Sequence, residues 1–391
     1  MPNHPVWGRG FRPFFLAAGG YGGGLTLAWI AIWRGAWPAP AWLAPSLWHA
    51  HEMLFGVVAA AIAGFLSTAV PVWTGRRALA GRPLMALTAL WAAGRLAMLA
   101  AGALPAGLVA GIDLAFLPVL ALLLARSLWR TGQRRNYGIP CVIAALALAN
   151  AAVHAQALGW APSSASRALR FAVDAVVILI VVIGGRITPA FTANALRLRG
   201  VDASVRSRPW LDALAVAFVV AVAAADLFAP GSAASAALAW LAGLLVAARM
   251  AGWQTVRTWS DPLVASLHSG MAWVAIGLLV VGAGGLGWPL AGTAGLHALT
   301  AGAMGSMILA VMTRVALGHT GRPLVLPTGA AGCYLLVHAG AVARVGVGLA
   351  PAAHQNSLLV TAGLLWAAAF WLFTVVYWPI VTRPRVDGRE G

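Results

Sequence analysis

The sequence predicts an all-α, polytopic integral membrane protein, a helical bundle of about 12 transmembrane helices with both termini cytoplasmic. Three observations carry that prediction. Of 391 residues, 61% are hydrophobic and only 9% charged, against roughly 45 to 50% and about 25% in soluble domains. The apolar residues, about 240 of them, supply about a dozen spans of about 20 residues each. The 26 basic residues are all arginines, and they concentrate in alternate loops, as cytoplasmic connections require.

The elements follow from where proline, glycine and arginine interrupt the apolar runs. Residues 14–33 follow Arg9 and Arg12 and are about as long as a full span, so they read as an uncleaved first helix rather than a signal peptide. The remaining spans of the first half fall near 49–73, 83–103, 107–129, 137–159 and 168–190. Those of the second half fall near 210–229, 232–256, 262–286, 291–317, 326–349 and 355–381, each long enough to cross the hydrocarbon with some tilt. Arginines follow helices 2 (Arg76, Arg77, Arg82), 4 (Arg130, Arg134, Arg135), 6 (Arg197, Arg199, Arg206, Arg208), 8 (Arg257), 10 (Arg322) and 12 (Arg383, Arg385, Arg389). The connections after helices 3, 7, 9 and 11 carry none, and that after helix 5, with Arg167 and Arg170, is an exception. The longest connection, near 191–209, is too short for a soluble domain, so residues 1–391 form a single membrane domain whose function lies inside the bundle.

The formal net charge of +17 would suggest nucleic acid in a soluble protein; here topology accounts for it, and no nucleic-acid partner is expected. Cys141 and Cys333 are too few for a disulfide framework or an all-cysteine cluster, and no C-x-x-C-H haem attachment stretch occurs. There is no phosphate loop, no H-E-x-x-H and no G-x-S-x-G. The Gly19 to Gly24 run reads as a close-packing helix face. Gly-Arg-Pro-Leu recurs at 81–84 and 321–324, but no internal repeat emerges under a six-plus-six duplication.

A charge at a helix centre costs about 2.5 to 3.5 kcal/mol on insertion scales, so every ionisable residue inside a span is a functional candidate. His49, His51 and Glu52 open helix 2, His154 ends helix 5, and His297 lies early in helix 10. With His354, Asp113 and Asp174 they fall at the outer level, whereas His268, Arg186, Arg314, His319 and Arg322 fall at the inner level. His49 and His51 point about 200° apart on a continuous helix, so they share a metal only if His49 precedes the first turn, and otherwise serve different partners. Neutral imidazoles at a helix start are good ligands for iron, copper or zinc, with a carboxylate to orient them or carry protons; two interfacial histidines wetted by headgroups are the plainer alternative. Asn150 and His154, four apart, share a face. Gly292, Gly295, Gly302 and Gly305 around His297 admit either a close helix or a flat macrocycle. His268 and His319 are candidates for an inner site. Arg170 and Asp174 form either a salt bridge or, through Asp174, a proton route; Arg95 and Arg344 either snorkel or anchor haem propionates. His338 brings no polar neighbour at helical spacing.

Several stretches together resemble the NnrS family of membrane proteins: G-F-R-P-F-F (10–15), W-H-A-H-E-M-L-F-G (48–56), A-G-F-L-S-T-A-V-P-V-W-T-G (63–75), G-G-R-I-T-P-A-F-T (184–192), and the segment 297–324 that opens H-A-L-T and ends G-H-T-G-R-P-L. One departure is Val72, where asparagine is expected. The resemblance implies a multi-pass protein of the bacterial inner membrane that contains haem b and copper, is linked to nitric oxide metabolism, nitrosative stress and denitrification, and draws electrons from a quinol or cytochrome. The positions matching the family pattern are His49, His51, Glu52, Asn150, His154, Asp174, Arg186, His268, His297, Arg314 and His319. On this reading the six histidines are metal ligands, Glu52 and Asp174 carry protons for a nitric oxide reductase-like reaction, and Asn150, Arg186, Arg314, Arg95 and Arg344 hold the cofactors. A transporter or channel for a small anion or metal ion, or a haem or copper carrier without turnover, is the alternative.

Overall fold

The computed structural model describes residues 4–40, 42–202, 204–288 and 293–389, and among them the regular structure is helical. Among the described residues eleven helices are long and apolar enough to cross a membrane. They are α1 (Phe11–Trp33), α2 (Pro45–Thr74), α4 (Ala106–Arg130), α5 (Arg134–Ala157), α6 (Ser164–Leu198), α7 (Pro209–Phe228), α8 (Ala233–Met250), α9 (Pro262–Gly285), α10 (Ala294–His319), α11 (Ala331–Leu349) and α12 (Ala352–Thr382). The remaining predicted span is α3, the 18-residue helix Arg82–Leu99, whose apolar run is interrupted by Arg95. Helices satisfy every backbone group internally, which hydrocarbon demands. Prolines at the first turn of α2, α3, α7 and α9 and the Asp261 and Ser232 caps of α9 and α8 start them where the sequence breaks lie. Gly75, at φ 64°, ends α2 in the left-handed conformation.

The largest boundary difference from expectation is at the end of α6. Helix α6 runs on to Leu198, through the stretch read from sequence as the start of a connection. Pro189 and the Gly-Gly at 184–185 lie within it without ending it, and the glycines are seats for other helices. A Cβ at Gly185 would lie 2.7 Å from Arg249 Cζ, and one at Gly184 would lie 2.9 Å from Met271 Sδ. The predicted start of helix 10 at 291, together with Gly292, lies outside the described residues.

The chain divides into two compact units, Met1–Ala172 with Met312–Leu324 and Phe373–Gly391, and Val173–Val311 with Val325–Leu372. In the first, α1 packs on α2 through two of the motif stretches: a Cβ at Gly10 would overlap Ser67, a Cβ at Gly64 would meet Phe15 at 2.7 Å, and the Phe11 amide donates to Thr68 Oγ1 at 3.0 Å. The Gly19–Gly24 run is only partly such a face, since an added Cβ at Gly20 or Gly24 meets open space while Gly19, Gly22 and Gly23 are buried. In the second unit α8 and α9 pack backbone to backbone. A Cβ at Gly282 would lie 2.6 Å from the Trp240 amide nitrogen and 2.7 Å from the Ala236 carbonyl. Gly282→Ala is therefore expected to force the helices apart and destabilise by about 1 to 3 kcal/mol, whereas Gly24→Ala leaves the unfolding midpoint in detergent unchanged; equal midpoints for both would contradict this packing.

Both units contain a π-helical segment that begins directly after a histidine. Glu52–Val58 follows His51 in α2, and Ala298–Met304 follows His297 in α10. In each a tryptophan indole donates to a carbonyl of the widened turn, Trp91 to Gly56 (3.0 Å) and Trp366 to Ala301 (3.3 Å). This local repetition escapes the sequence because only the H-x-x-x-x-G spacing is shared. π segments recur at functional sites, and the first of these builds the centre described next.

Candidate metal centre

Six side chains from four helices of the first unit converge on one buried cluster. His51 and Glu52 come from the start of the α2 π segment, Arg95 from α3, Asp113 from the second turn of α4, and Asn150 and His154 from one face of α5. Tyr21 of α1 closes it by donating to Glu52 Oε2. The other Glu52 oxygen accepts from Arg95 Nη1 (2.6 Å) and His51 Nδ1 (2.9 Å). Arg95 Nη2 donates to Asp113 Oδ1, so a single guanidinium bridges both carboxylates. Asp113 Oδ2 accepts from Asn150 Nδ2 (2.8 Å) and His154 Nε2 (2.7 Å).

Glycines make this convergence possible. A Cβ at Gly56 would lie 2.8 Å from the Tyr21 ring and 3.2 Å from Arg95 Cδ, and one at Gly94 would lie 3.0 Å from Asp113 Oδ1. Bulk at either position would push Arg95 off the carboxylates.

The hydrogen-bond inventory sets the protons. Asn150 spends its amide donor on Asp113, so its Oδ1 accepts from His51 Nε2 at 2.8 Å. His51 Nδ1 faces a carboxylate oxygen already bound to Arg95, so both ring nitrogens of His51 are donors, the arrangement of an imidazolium. With Arg95 it balances Glu52 and Asp113, leaving an electroneutral buried cluster, which is the form a low-dielectric interior tolerates. His154 donates from Nε2, which leaves Nδ1 as a lone pair, buried and without a hydrogen-bond partner beside the Trp42 ring at 4.7 Å.

These residues fit a transition metal ion. One ligand atom from each of His51, Asp113 and His154 lies within 4.8 Å of the others, with His51 Nε2 and His154 Nε2 at 3.2 and 2.7 Å from Asp113 Oδ2. Metal to ligand distances of about 2.0 to 2.2 Å require atoms this close. Two imidazoles and one carboxylate with further positions open are a known donor set for redox metals, and metal entering here displaces ring protons. The Glu52 contact to His51 Nδ1 is the outer partner that orients a ligand imidazole.

The other sequence candidates have different surroundings. His49 stacks on Trp29 (4.4 Å between centroids), so the 200° divergence from His51 does send the two rings to different partners. His297, in the second unit, directs Nδ1 to the Thr293 carbonyl (2.8 Å), which puts the ring's lone pair on Nε2. Arg344 reaches Thr293 Oγ1 (3.3 Å) from α11. The glycines around His297 serve protein packing rather than a macrocycle: added Cβ atoms at Gly295, Gly302 and Gly305 would meet Val281, Trp273 and Trp366 within 2.7 Å.

The two expected inner histidines belong to different units. His268 sits between Thr192 Oγ1 (2.8 Å) and Thr255 Oγ1 (3.0 Å), with both ring nitrogens used. His319 belongs to the other unit and accepts from Arg9 Nη1 at 3.2 Å. Asp174 and Arg314 are buried, Arg186 is half-buried, and Val72 is exposed. His338 does have polar neighbours, Trp273 Nε1 (3.0 Å), Ser306 Oγ (3.2 Å) and Ser269 Oγ (2.9 Å), all from other helices and so invisible to helical spacing. Sequence reading missed Tyr21 and the bridging position of Arg95. Arg95 and Asp113, opposite charges near the facing ends of consecutive spans, were the available signal.

The NnrS family profile, described as NnrS protein, matches residues 5–385 of the chain. The chain belongs to the NnrS family. No curated protein matches it. In this NnrS chain the W-H-A-H-E-M stretch supplies two side chains of the cluster, His51 and Glu52.

Proposed function

We propose that this NnrS-family protein binds nitric oxide in the bacterial inner membrane and reduces or detoxifies it at a metal held by His51, Asp113 and His154. The buried grouping of His51, Asp113 and His154, with one ligand atom from each within 4.8 Å of the others, carries the reading. Copper suits two imidazoles and a carboxylate, and when bound it would supply a one-electron couple and an open position for nitric oxide. For haem b, the second expected cofactor, His297 is the ligand candidate, its Nδ1 tied to a backbone carbonyl and Arg344 on the side of Thr293, while helix packing fills the space at Gly295, Gly302 and Gly305.

The chain's own residues then handle protons. Converting two nitric oxide molecules to nitrous oxide and water consumes two electrons and two protons, with the electrons coming from a quinol or cytochrome. Tyr21, Glu52, His51, Asn150, Asp113 and His154 form a continuous hydrogen-bonded chain from α1 to α5. Glu52 accepts three donors as a carboxylate, so the proton it manages rests on His51 Nδ1 rather than on the acid itself. Arg95 keeps both carboxylates in place.

Metal and haem counts on purified variants, with nitric oxide consumption, test this. His51→Ala and His154→Ala are expected to lose copper and His297→Ala to lose haem, while His268→Ala and His338→Ala keep both. Copper and nitric oxide reactivity unchanged in both cluster variants would sink the assignment. A folded, colourless, metal-free wild type that carries ions across liposomes would favour the transport alternative.

A further inference from the structure

A second cluster in the first unit is built from the other specific motif stretches and takes no part in the metal centre. Arg9 and Arg12 come from the G-F-R-P-F-F region at the start of α1, Arg322 from the G-H-T-G-R-P turn after α10, and Arg385 from the segment after α12. Arg12 is fully buried. Its Nη1 donates to the carbonyls of Val381 (2.6 Å) and Arg383 (2.8 Å), which ties the end of α12 and the segment after it to the first turn of α1. Arg385 Nη1 donates to the His319 carbonyl (2.8 Å), and the Val386 amide donates to the Thr320 carbonyl (3.1 Å).

The charges there do not balance. Arg12 lies within electrostatic reach of Arg9, Arg322 and Arg385, and Arg9 within reach of Arg385. Among the described residues the carboxylate beside them is Asp387, which Arg385 already holds through two contacts at 2.8 and 2.5 Å. That pair keeps the Asp387 carboxyl down at about 2, while burial and the neighbouring Arg385 lower the Arg9 guanidinium below its usual range. Three donors are buried with no hydrogen-bond partner: Arg12 Nε, Arg12 Nη2 and Arg322 Nη1. Unmet buried donors on a charged group are costly, and guanidinium forks match the paired oxygens of a phosphate.

We propose that Arg9, Arg12, Arg322 and Arg385 form a binding site for a phosphate-class anion where the start of α1 meets the end of α12. The cluster lies at the ends of α1, α10 and α12, the level of lipid headgroups, where basic pockets between helices take anionic headgroup phosphates. A soluble phosphate would use the same donors.

The purified protein in detergent, with its metals, tests this by native mass spectrometry against dioleoylphosphatidylglycerol and dioleoylphosphatidylcholine, and by thermal shift with inorganic phosphate. Preferential retention of phosphatidylglycerol identifies a lipid source; a thermal shift with phosphate alone identifies a soluble one. In either case Arg322→Gln is expected to weaken binding about tenfold with copper content unchanged. Arg12→Gln removes more donors but also loosens the C-terminal segment, so Arg322→Gln, whose side chain holds no backbone carbonyl, is the deciding variant. Neither probe binding, or binding unaltered by Arg322→Gln, overturns the proposal.

Discussion

Asp113→Ala is expected to be the most damaging single substitution in the protein. The Asp113 carboxylate takes hydrogen bonds from Arg95, Asn150 and His154 and lies 3.2 Å from His51 Nε2. Its removal leaves Arg95 and an imidazolium buried against a single carboxylate, Glu52. Breaking a buried ion pair by deleting one partner costs about 3 to 5 kcal/mol, a large share of the roughly 5 to 15 kcal/mol that holds a typical protein folded. Fluorescence-detected size exclusion should therefore show little or no monodisperse Asp113→Ala protein. Replacing both charges with apolar groups of similar size removes the imbalance, and such exchanges are often neutral. The pair Arg95→Met and Asp113→Leu is thus expected to restore folded protein without restoring copper. An Asp113→Ala protein with the wild-type unfolding midpoint would show that the cluster is not the electrostatic keystone described.

The second large effect concerns Glu52, and it rests on the proposed reaction. With copper supplied in excess, Glu52→Gln is expected to bind metal yet consume nitric oxide roughly 10²- to 10⁴-fold more slowly, the range lost when a positioned proton-transfer group is removed. Glutamine keeps an oxygen for Arg95 but cannot hold the proton on His51 Nδ1 by charge. Excess metal matters because outer partners of a ligand histidine typically contribute 10- to 100-fold in metal affinity. Tyr21→Phe, which removes one hydroxyl from the same chain, is expected to lower turnover with copper unchanged. Wild-type turnover in Glu52→Gln would remove Glu52 from the proton path and leave it a purely structural anion for Arg95.

Parts of this site were legible in the sequence. The four-residue spacing of Asn150 and His154 puts both on one face of α5, and both reach Asp113. The two-residue spacing of His49 and His51 separates their rings, and they do part, one to Trp29 and the other to the cluster. Depth alone was a coarser guide, since His297 and His51, and likewise His268 and His319, belong to different units. It also gave no reason to join Arg95 to Glu52 and Asp113, because the direction a side chain faces around its helix is absent from a depth estimate.

The sequence by itself determined the class of protein and nearly every span, since hydropathy acts locally: a run of about 20 apolar residues must form a helix across the bilayer whatever its neighbours do. It also determined which residues were too costly to be idle. Only the tertiary structure decided their partners. Gly56 and Gly94 admit Arg95 between two carboxylates, Gly295, Gly302 and Gly305 close the second π segment with protein, and Arg12 ties the start of α1 to the end of α12. Each of these depends on which helix faces which and at what rotation, and those are set by close packing between segments far apart in the chain.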